Sequence, residues 1–532
     1  MKDYFKNSSF IIFIVISILY LISNIIWYEI NTPIIPEGIS GVHFNDVFLN
    51  AWLFVNAPLI TWIMKVMFFI FGKEYFDLQI IIVNYIFFLM GLYFMYKIGV
   101  KLKDKETGNL AMILFALTPG VYELSRTYGH QEYHTMCAVV LNIYCLIKTD
   151  CFKNRKWSIL YGISVGLGLL IKDEFLICFF VPWVYLVISS LIKKVEINKI
   201  LNILITIILG SLISYCHYFQ MFTIKKIITE PIRETVNPFL FENFRITTVG
   251  LSEYLLTPPL FLLFLIGMVL FVIKYKKSIN KIILVLYLII PWAIVTFMPH
   301  HKEPEYNMLI VPVIILVVSL FLSNKKLISF ITIVVLLFQF IAFSYNLIPG
   351  ISIFNFKSLK KPISYFDRMF LHLTGKDNLN YRQYIEIYDV LKKYENINKV
   401  DFFLFWEQEP IIFYKTLENI LRMKLGDKTI INFANNLEIE DFGNCDIFIS
   451  IGNASLLDIV NYEYYCSKFY YMDDIKIKDK YISERIKLYE DKNKKINDKF
   501  YLQEQFYLQG IEDNNHMVRL YIRKDLANNK VD

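Results

Sequence analysis

Apolar runs of membrane-spanning length recur from about residue 10 to residue 347 of the chain and then stop. A helix rises ~1.5 Å per residue, so roughly 20 apolar residues cross a hydrocarbon layer of ~30 Å. Runs near that length lie at about 9–28, 78–97, 108–124, 133–149, 157–171, 175–192, 200–220, 257–273, 282–298, 306–322 and 327–347. Inside a bilayer no water is available to satisfy backbone polar groups, so each run must fold as a helix and pack among others. The predicted fold class is a polytopic α-helical membrane protein with about 11 transmembrane helices. The first run is too long for a signal-peptide core and no small-residue cleavage site follows it, so it is expected to stay as a span.

The formal charge of +7, from 55 Lys and Arg against 48 Asp and Glu, does not indicate a nucleic-acid partner. Its basic residues form short clusters between apolar runs, which is a topology signal. With Lys2 and Lys6 in the cytoplasm, the cytoplasmic connections carry Lys97, Lys101, Lys103 and Lys105, then Lys148, Lys153, Arg155 and Lys156. Lys193, Lys194 and Lys199 follow, then Lys274, Lys276, Lys277 and Lys281, and finally Lys325 and Lys326. The opposite connections, 29–77, 125–132, 172–174, 221–256 and 299–305, are poorer in net positive charge. This predicts a plasma-membrane protein with a cytoplasmic N-terminus and an exoplasmic tail from about residue 350. The abundance of Ile, Lys, Asn, Phe and Tyr fits an AT-rich bacterial genome.

The seven cysteines have no metal-ligand spacing. Cys137, Cys145, Cys178 and Cys216 fall in or beside spans and read as small buried hydrophobes, leaving Cys445 and Cys466 as a candidate disulfide pair. In the tail, Val400–Trp406, Asp446–Ile451 and Val518–Arg523 read as strands alternating with helices at 382–394 and 411–424. The expected organisation is a transmembrane catalytic module over 1–348 and an exoplasmic α/β domain over 349–532.

The connection over 31–76 is far longer than the ~4–6 residues usual between elements, and it is too apolar and aromatic for disorder. It reads as two amphipathic surface helices at 45–56 and 59–71, separated by Pro58. Asp46 heads the first and is the only acid between Glu37 and Glu74. It suits a helix N-cap, and near low-dielectric surroundings it also suits a general base.

Six of eight histidines, His43, His130, His134, His217, His300 and His301, fall at exoplasmic ends or loops. That sidedness favours a site there over scattered interfacial histidines. A second patch, Tyr122 to His134, holds Arg126, suited to phosphate, with His130 and Glu132 suited to orienting a hydroxyl or a metal. The plain alternative is a solvated Arg126–Glu132 pair. Lys172, Asp173 and Glu174 sit between apolar runs with almost no loop, where charge is expensive unless functional or snorkelling. His300, His301, Lys302, Glu303 and Glu305 crowd one tight turn, suited to gripping phosphate or completing a metal site.

These motifs together resemble the GT-C membrane glycosyltransferases, of the protein O-mannosyltransferase and lipid A aminoarabinose transferase type, over roughly residues 8–345. Asp46 matches the family's first-loop acid, with Val47 where Glu is often found, and Ala57-Pro58-Leu59 is similar to its Pro segment. Leu117-Thr118-Pro119-Gly120, Arg126 and Glu132 match a Leu-Thr-Pro-Gly, Arg, acid series, and Gly166-Leu-Gly168 with Lys172 a Gly-Leu-Gly…Lys stretch. His301-Lys302-Glu303 with Tyr306 resembles a His-Lys-Glu-x-Arg-(Phe/Tyr) motif, although Glu305 stands in the Arg position.

The resemblance implies an inverting transfer of a sugar from a polyprenyl-phosphate carrier to a hydroxyl of an exoplasmic glycan, lipid or protein. The leaving phosphate needs charge stabilisation, for which Arg126, Lys172, His300, His301 and Lys302 are candidates. The acceptor hydroxyl needs a base, Asp46 first and Glu132 second, with His43, His130 and Glu303 nearby. His and carboxylates on one face also admit a divalent ion such as Mg or Mn, though no spacing demands it. A transporter or flippase of lipid-linked sugars is the competing class. Transporters place ionisable residues on broken helices near the midplane and often repeat their halves, and neither pattern stands out here.

Overall fold

The computed structural model describes residues 8–30, 58–72, 76–126, 131–172, 196–221, 250–274, 279–297, 304–344, 399–404, 430–433, 447–451, 500–507 and 517–524, with isolated positions between 175 and 248. These fall into two compact units, a helical one and one that holds five strands. The helices are α1 (Ser8–Ile30), α2 (Pro58–Phe71), α3 (Phe76–Leu102), α4 (Lys105–Leu117), α5 (Pro119–Leu124) and α6 (Gln131–Lys148). After them come α7 (Arg155–Leu169), α8 (Ile197–Met221), α9 (Pro258–Lys274), α10 (Ile279–Phe297), α11 (Val311–Leu322) and α12 (Lys326–Ser344). A π-turn over Gly250–Leu255 and a 3-10 turn over Pro304–Leu309 complete the helical unit.

A helix lies at every expected span except 175–192, most of which falls outside the described residues. Ser8–Ile26, Leu78–Leu102 and Ile197–Tyr215 are each long and apolar enough to cross a membrane, with mean hydropathies of 2.6, 2.0 and 1.8. On α1, Ile11, Ile14, Val15, Ile18, Leu19, Ile22 and Ile25 face outward, and on α12 so do Phe330, Ile331, Val334 and Phe338. Faces this apolar suit lipid rather than water. The centre is α11, of which every residue but Phe321 is buried. It packs against α3, α4, α6, α9, α10 and α12.

The span expected at 108–124 is two helices, because Thr118 is extended (φ −76°, ψ 127°) between α4 and α5. Pro119 lacks an N–H and disfavours helical backbone at the residue before it, so α4 must stop there. The Thr118 hydroxyl donates to the Leu114 carbonyl at 2.6 Å, which satisfies one of the freed acceptors. Likewise, the span expected at 306–322 opens as the 3-10 turn and becomes α-helical only at Val311.

Glycine sets the closest helix contacts. A Cβ on Gly166 of α7 would lie 2.6 Å from the Ile213 Cβ of α8, and one on Gly162 would lie 2.8 Å from the Thr206 carbonyl oxygen. Small residues four apart let two membrane helices approach this closely without a bulky side chain between them. Thr206 closes the same seam by donating to the Ser158 carbonyl at 2.9 Å. Substituting valine for Gly166 is expected to lower stability by about 1–3 kcal/mol, the usual cost of overpacking. Thermal unfolding of the purified variant beside the parent measures it.

The lysine-rich turns gather at one end of the bundle. Lys103 Nζ donates to Ser323 Oγ at 2.5 Å and Asn324 Oδ1 at 2.8 Å, so the α3–α4 and α11–α12 turns meet. The start of α8 reaches the α6–α7 turn, where Asn202 donates to the Phe152 carbonyl at 2.7 Å. Asp104 caps α4 by accepting from the Thr107 N–H and hydroxyl, both at 2.8 Å. Partial burial pushes its carboxyl up, but those two donors and Lys103 outweigh it and hold it below the usual carboxylate range.

A helix lies at 59–71 as expected: α2, with Pro58 at its first residue, where a missing N–H costs nothing. The helix expected at 45–56 lies outside the described residues. The strands expected at 400–406, 446–451 and 518–523 appear as β1 (Lys399–Leu404), β3 (Ile447–Ile451) and β5 (Met517–Arg523). Two more, β2 (Ile430–Phe433) and β4 (Phe500–Tyr507), complete a sheet of order β2-β1-β3-β5-β4. β1 is parallel to β2 and β3, and β5 is antiparallel to β3 and β4. The helices expected at 382–394 and 411–424, and Cys445 and Cys466, lie outside the described residues.

Candidate functional site

At the end of the bundle opposite the lysine-rich turns, three chain breaks bring polar groups together. The first is the end of α7. Beyond Leu169 the chain tightens, with the Ile171 N–H bonding to the Gly168 carbonyl three residues back at 3.0 Å. Phe175 then turns back over Gly168, which has no side chain to obstruct the ring. The result points Lys172 inward, with only 8% of it exposed. The start of α2 joins the same turn, since Leu59 N–H donates to the Leu170 carbonyl at 3.0 Å.

The second break is the start of α6. Glu132 lies in its first turn, where an acid complements the positive helix end, and is 6% exposed. Lys172 Nζ donates to Glu132 Oε1, forming a buried ion pair. The third is the 3-10 turn, whose Tyr306 ring lies 4.7 Å from Lys172 Nζ in a cation–π contact. Two charges withdrawn from water cost several kcal/mol each and persist only when paired this closely. A chain would scarcely keep them there for packing alone.

Beside this centre, Arg126 is 1% exposed. Its Nε donates to Asn24 Oδ1 at 3.1 Å and a terminal nitrogen to Ser23 Oγ at 2.5 Å, both on α1. The guanidinium also lies 5.2 Å from the Tyr122 ring and 5.6 Å from the Phe340 ring of α12. The solvated Arg126–Glu132 pair considered from the sequence is thus replaced. Both residues are buried, Glu132 pairs with Lys172, and Arg126 binds α1. Next to Arg126, Glu123 is buried, and its Oε2 has no hydrogen-bond partner among the described residues.

A third cluster ties the two ends of the α5–α6 connection to α3. Asn84 Nδ2 donates to the Ser125 carbonyl at 2.6 Å, while its Oδ1 meets His134 Nε2 at 2.8 Å. The Tyr133 hydroxyl donates to the Asn84 carbonyl at 3.1 Å. Tyr20 of α1 donates to Ser125 Oγ and stacks on Phe88 at 3.4 Å between ring centroids. His134, edge-on to Phe87 at 4.6 Å, therefore belongs to helix packing.

Of the residues singled out in the sequence, Glu132 and Lys172 come together, with Tyr306 against them, and Arg126 lies beside them on its own partners. Asp46, His43, His130, His300, His301, Lys302 and Glu303 lie outside the described residues. Among the described residues, no three His, Cys, Asp or Glu side chains form a metal-ligand group. Asn24, Ser23, Asn84 and Glu123 were not anticipated. Ser23, Asn24 and Asn84 are single polar residues inside apolar runs, and that oddity is the signal that marks them.

Residues 55–216 match the family model described as dolichyl-phosphate-mannose-protein mannosyltransferase. Comparison with curated protein sequences gives no match. Among solved structures, the chain is similar to ArnT from Cupriavidus metallidurans bound to undecaprenyl phosphate, at 9% identity and a TM-score of 0.55, covering 95% of this chain and 97% of that one. It is also similar to the apo oligosaccharyltransferase of Archaeoglobus fulgidus, at 10% identity and a TM-score of 0.50, covering 88% of this chain and 72% of that one. The arabinofuranosyltransferase AftD from Mycobacteria matches at 12% identity and a TM-score of 0.52, covering 96% of this chain and 41% of that one. At these identities the likeness is one of fold.

Proposed function

We propose that this chain is a membrane glycosyltransferase of the GT-C type that moves a sugar from a polyprenyl-phosphate carrier to an acceptor hydroxyl on the exoplasmic side, a reading supported by the family-model match and the likeness of fold. The observation that carries this reading is the buried Glu132–Lys172 pair against Tyr306, built from three separated stretches at one end of the bundle. The undecaprenyl phosphate bound by the similar ArnT structure supports the choice of carrier.

In this reading the acceptor oxygen attacks the anomeric carbon and the carbon–oxygen bond to the phosphate breaks, with inversion. The bond's electrons leave with polyprenyl phosphate, and the acceptor's proton passes to Asp46. A phosphate needs no general acid to leave, but its charge must be met by fixed positive groups. Lys172 is the first of these, because Glu132 and Tyr306 hold its ammonium in place before the carrier arrives. His300, His301 and Lys302 are proposed to share in holding the phosphate, and His43, His130 and Glu303 to serve the same reaction. Arg126 spends two of its five donors on Asn24 and Ser23, which fix its guanidinium against α1, so it ranks after Lys172. The tail unit is proposed to help recognise the acceptor.

The test is release or transfer of labelled sugar from polyprenyl-phosphate sugars by the purified full-length protein. Turnover of at least one such donor is expected. A protein that neither binds nor turns over any of them would overturn the reading.

A further inference from the structure

Asn84 lies on α3, in an otherwise apolar stretch, and is 1% exposed. Its bonds go to both sides of the connection between α5 and α6. On one side it holds the Ser125 carbonyl, next to Arg126, at 2.6 Å. On the other it holds the two residues that follow Glu132 in the first turn of α6. Tyr133 gives its hydroxyl to the Asn84 carbonyl at 3.1 Å, and His134 Nε2 meets Asn84 Oδ1 at 2.8 Å.

The amide leaves little freedom in how these bonds are made. Its nitrogen can only donate, and does so to Ser125, so its oxygen must accept, and His134 must carry its proton on Nε2. With that proton directed at Asn84, the ring serves as a fixed strut. The side chain thus ties the end of α5 to the first turn of α6, and the Asn84 backbone carbonyl adds the Tyr133 bond, in low-dielectric surroundings where each bond is worth more than in water. Glu132 sits in that turn, and its setting decides where Lys172 is held.

We infer that the Asn84 side chain is a positioning group for the Glu132–Lys172 centre, acting through His134 and the Ser125 carbonyl rather than on the substrate. The inference rests on the reading that this centre receives the carrier phosphate. Cutting the strut leaves the charges and the Tyr133 bond to the backbone in place but loosens the turn that carries Glu132. Binding of the phosphate then weakens, much as metal affinity falls when a ligand's orienting partner is removed.

The experiment measures binding of a sugar-free polyprenyl phosphate to purified full-length protein carrying Asn84→Leu, Glu132→Gln, or both. Asn84→Leu is expected to weaken binding on the order of tenfold, as loss of an orienting partner does elsewhere. It should add almost nothing once Glu132→Gln is present, because contacting residues in one network are not additive. His134→Leu should copy Asn84→Leu from the other side of the bond, so the test survives if one variant fails to fold. His134→Gln, which can still donate to Asn84 Oδ1, should bind like the parent. Full additivity, or unchanged binding in both leucine variants, would overturn the inference. If the parent binds no polyprenyl phosphate, the proposed function fails separately. The inference is then decided by the melting temperatures of the same four proteins, where non-additive shifts support coupling of Asn84 to Glu132 and additive shifts refute it.

Discussion

Replacing Asp46 with asparagine is expected to lower kcat for sugar transfer by about 10²–10⁴-fold, the range a positioned general base contributes. The carrier's Kd should stay near that of the parent. The reason lies in how the charges divide between the two halves of the reaction. The leaving phosphate is already a stable anion and needs only cations near it. A sugar or serine hydroxyl, by contrast, is a poor nucleophile until its proton has somewhere to go. Asparagine keeps the shape and the helix-capping oxygen of aspartate but cannot take a proton. Single-turnover kinetics beside equilibrium binding separate the two effects. A variant with full turnover would make Asp46 a helix cap alone and pass the role of base to Glu132.

The second large effect concerns stability and binding together. Lys172→Met should lower stability by about 3–5 kcal/mol, because it leaves the Glu132 carboxylate buried with its cation removed. Pairing it with Glu132→Gln should recover most of that loss, since two neutral side chains of similar size are no longer penalised for desolvation. Binding of polyprenyl phosphate should not recover in the double variant. Thermal unfolding and carrier titration of the single and double variants measure both. If the double variant binds the carrier like the parent, the ion pair serves the fold alone and the phosphate is gripped elsewhere.

Much of the membrane part was legible because lipid imposes its length on every run it accepts. The runs at 9–28, 78–97 and 200–220 became α1, α3 and α8 with shifts of a few residues. What misled was continuity of hydropathy across a backbone break. Thr118 and Pro119 look like part of one apolar span, yet the proline's missing N–H divides it. Leu117–Gly120 had already been noticed as a motif, but as a family mark rather than as a hinge. The two missed strands, Ile430–Phe433 and Phe500–Tyr507, are a very short run and a polar one, and neither shows clean alternation.

The candidate site was read in its members more than in its pairings. Glu132 and Lys172 were each marked by charge near the membrane, but a separation of 40 positions hid their bond. Charge next to charge in sequence suggested Arg126 with Glu132, whereas the fold gave each another partner. Asn84 went unmarked because one amide in an apolar run carries no motif. Its importance comes wholly from three partners brought to it by α5 and α6.

The burial of α11 has a consequence for how the chain is made. This helix touches six others, yet the ribosome delivers it only after more than three hundred residues have emerged. The helices made before it must wait in the bilayer as an open shell around the place it will fill. The bond from Lys103 to Ser323 and Asn324, 220 and 221 residues onward, is among the last to close. Assembly should therefore be late and concerted rather than stepwise, since contacts so distant in sequence reward the chain only once its end has arrived. Nascent chains halted before Val311 should be digested by protease at sites that the finished protein protects.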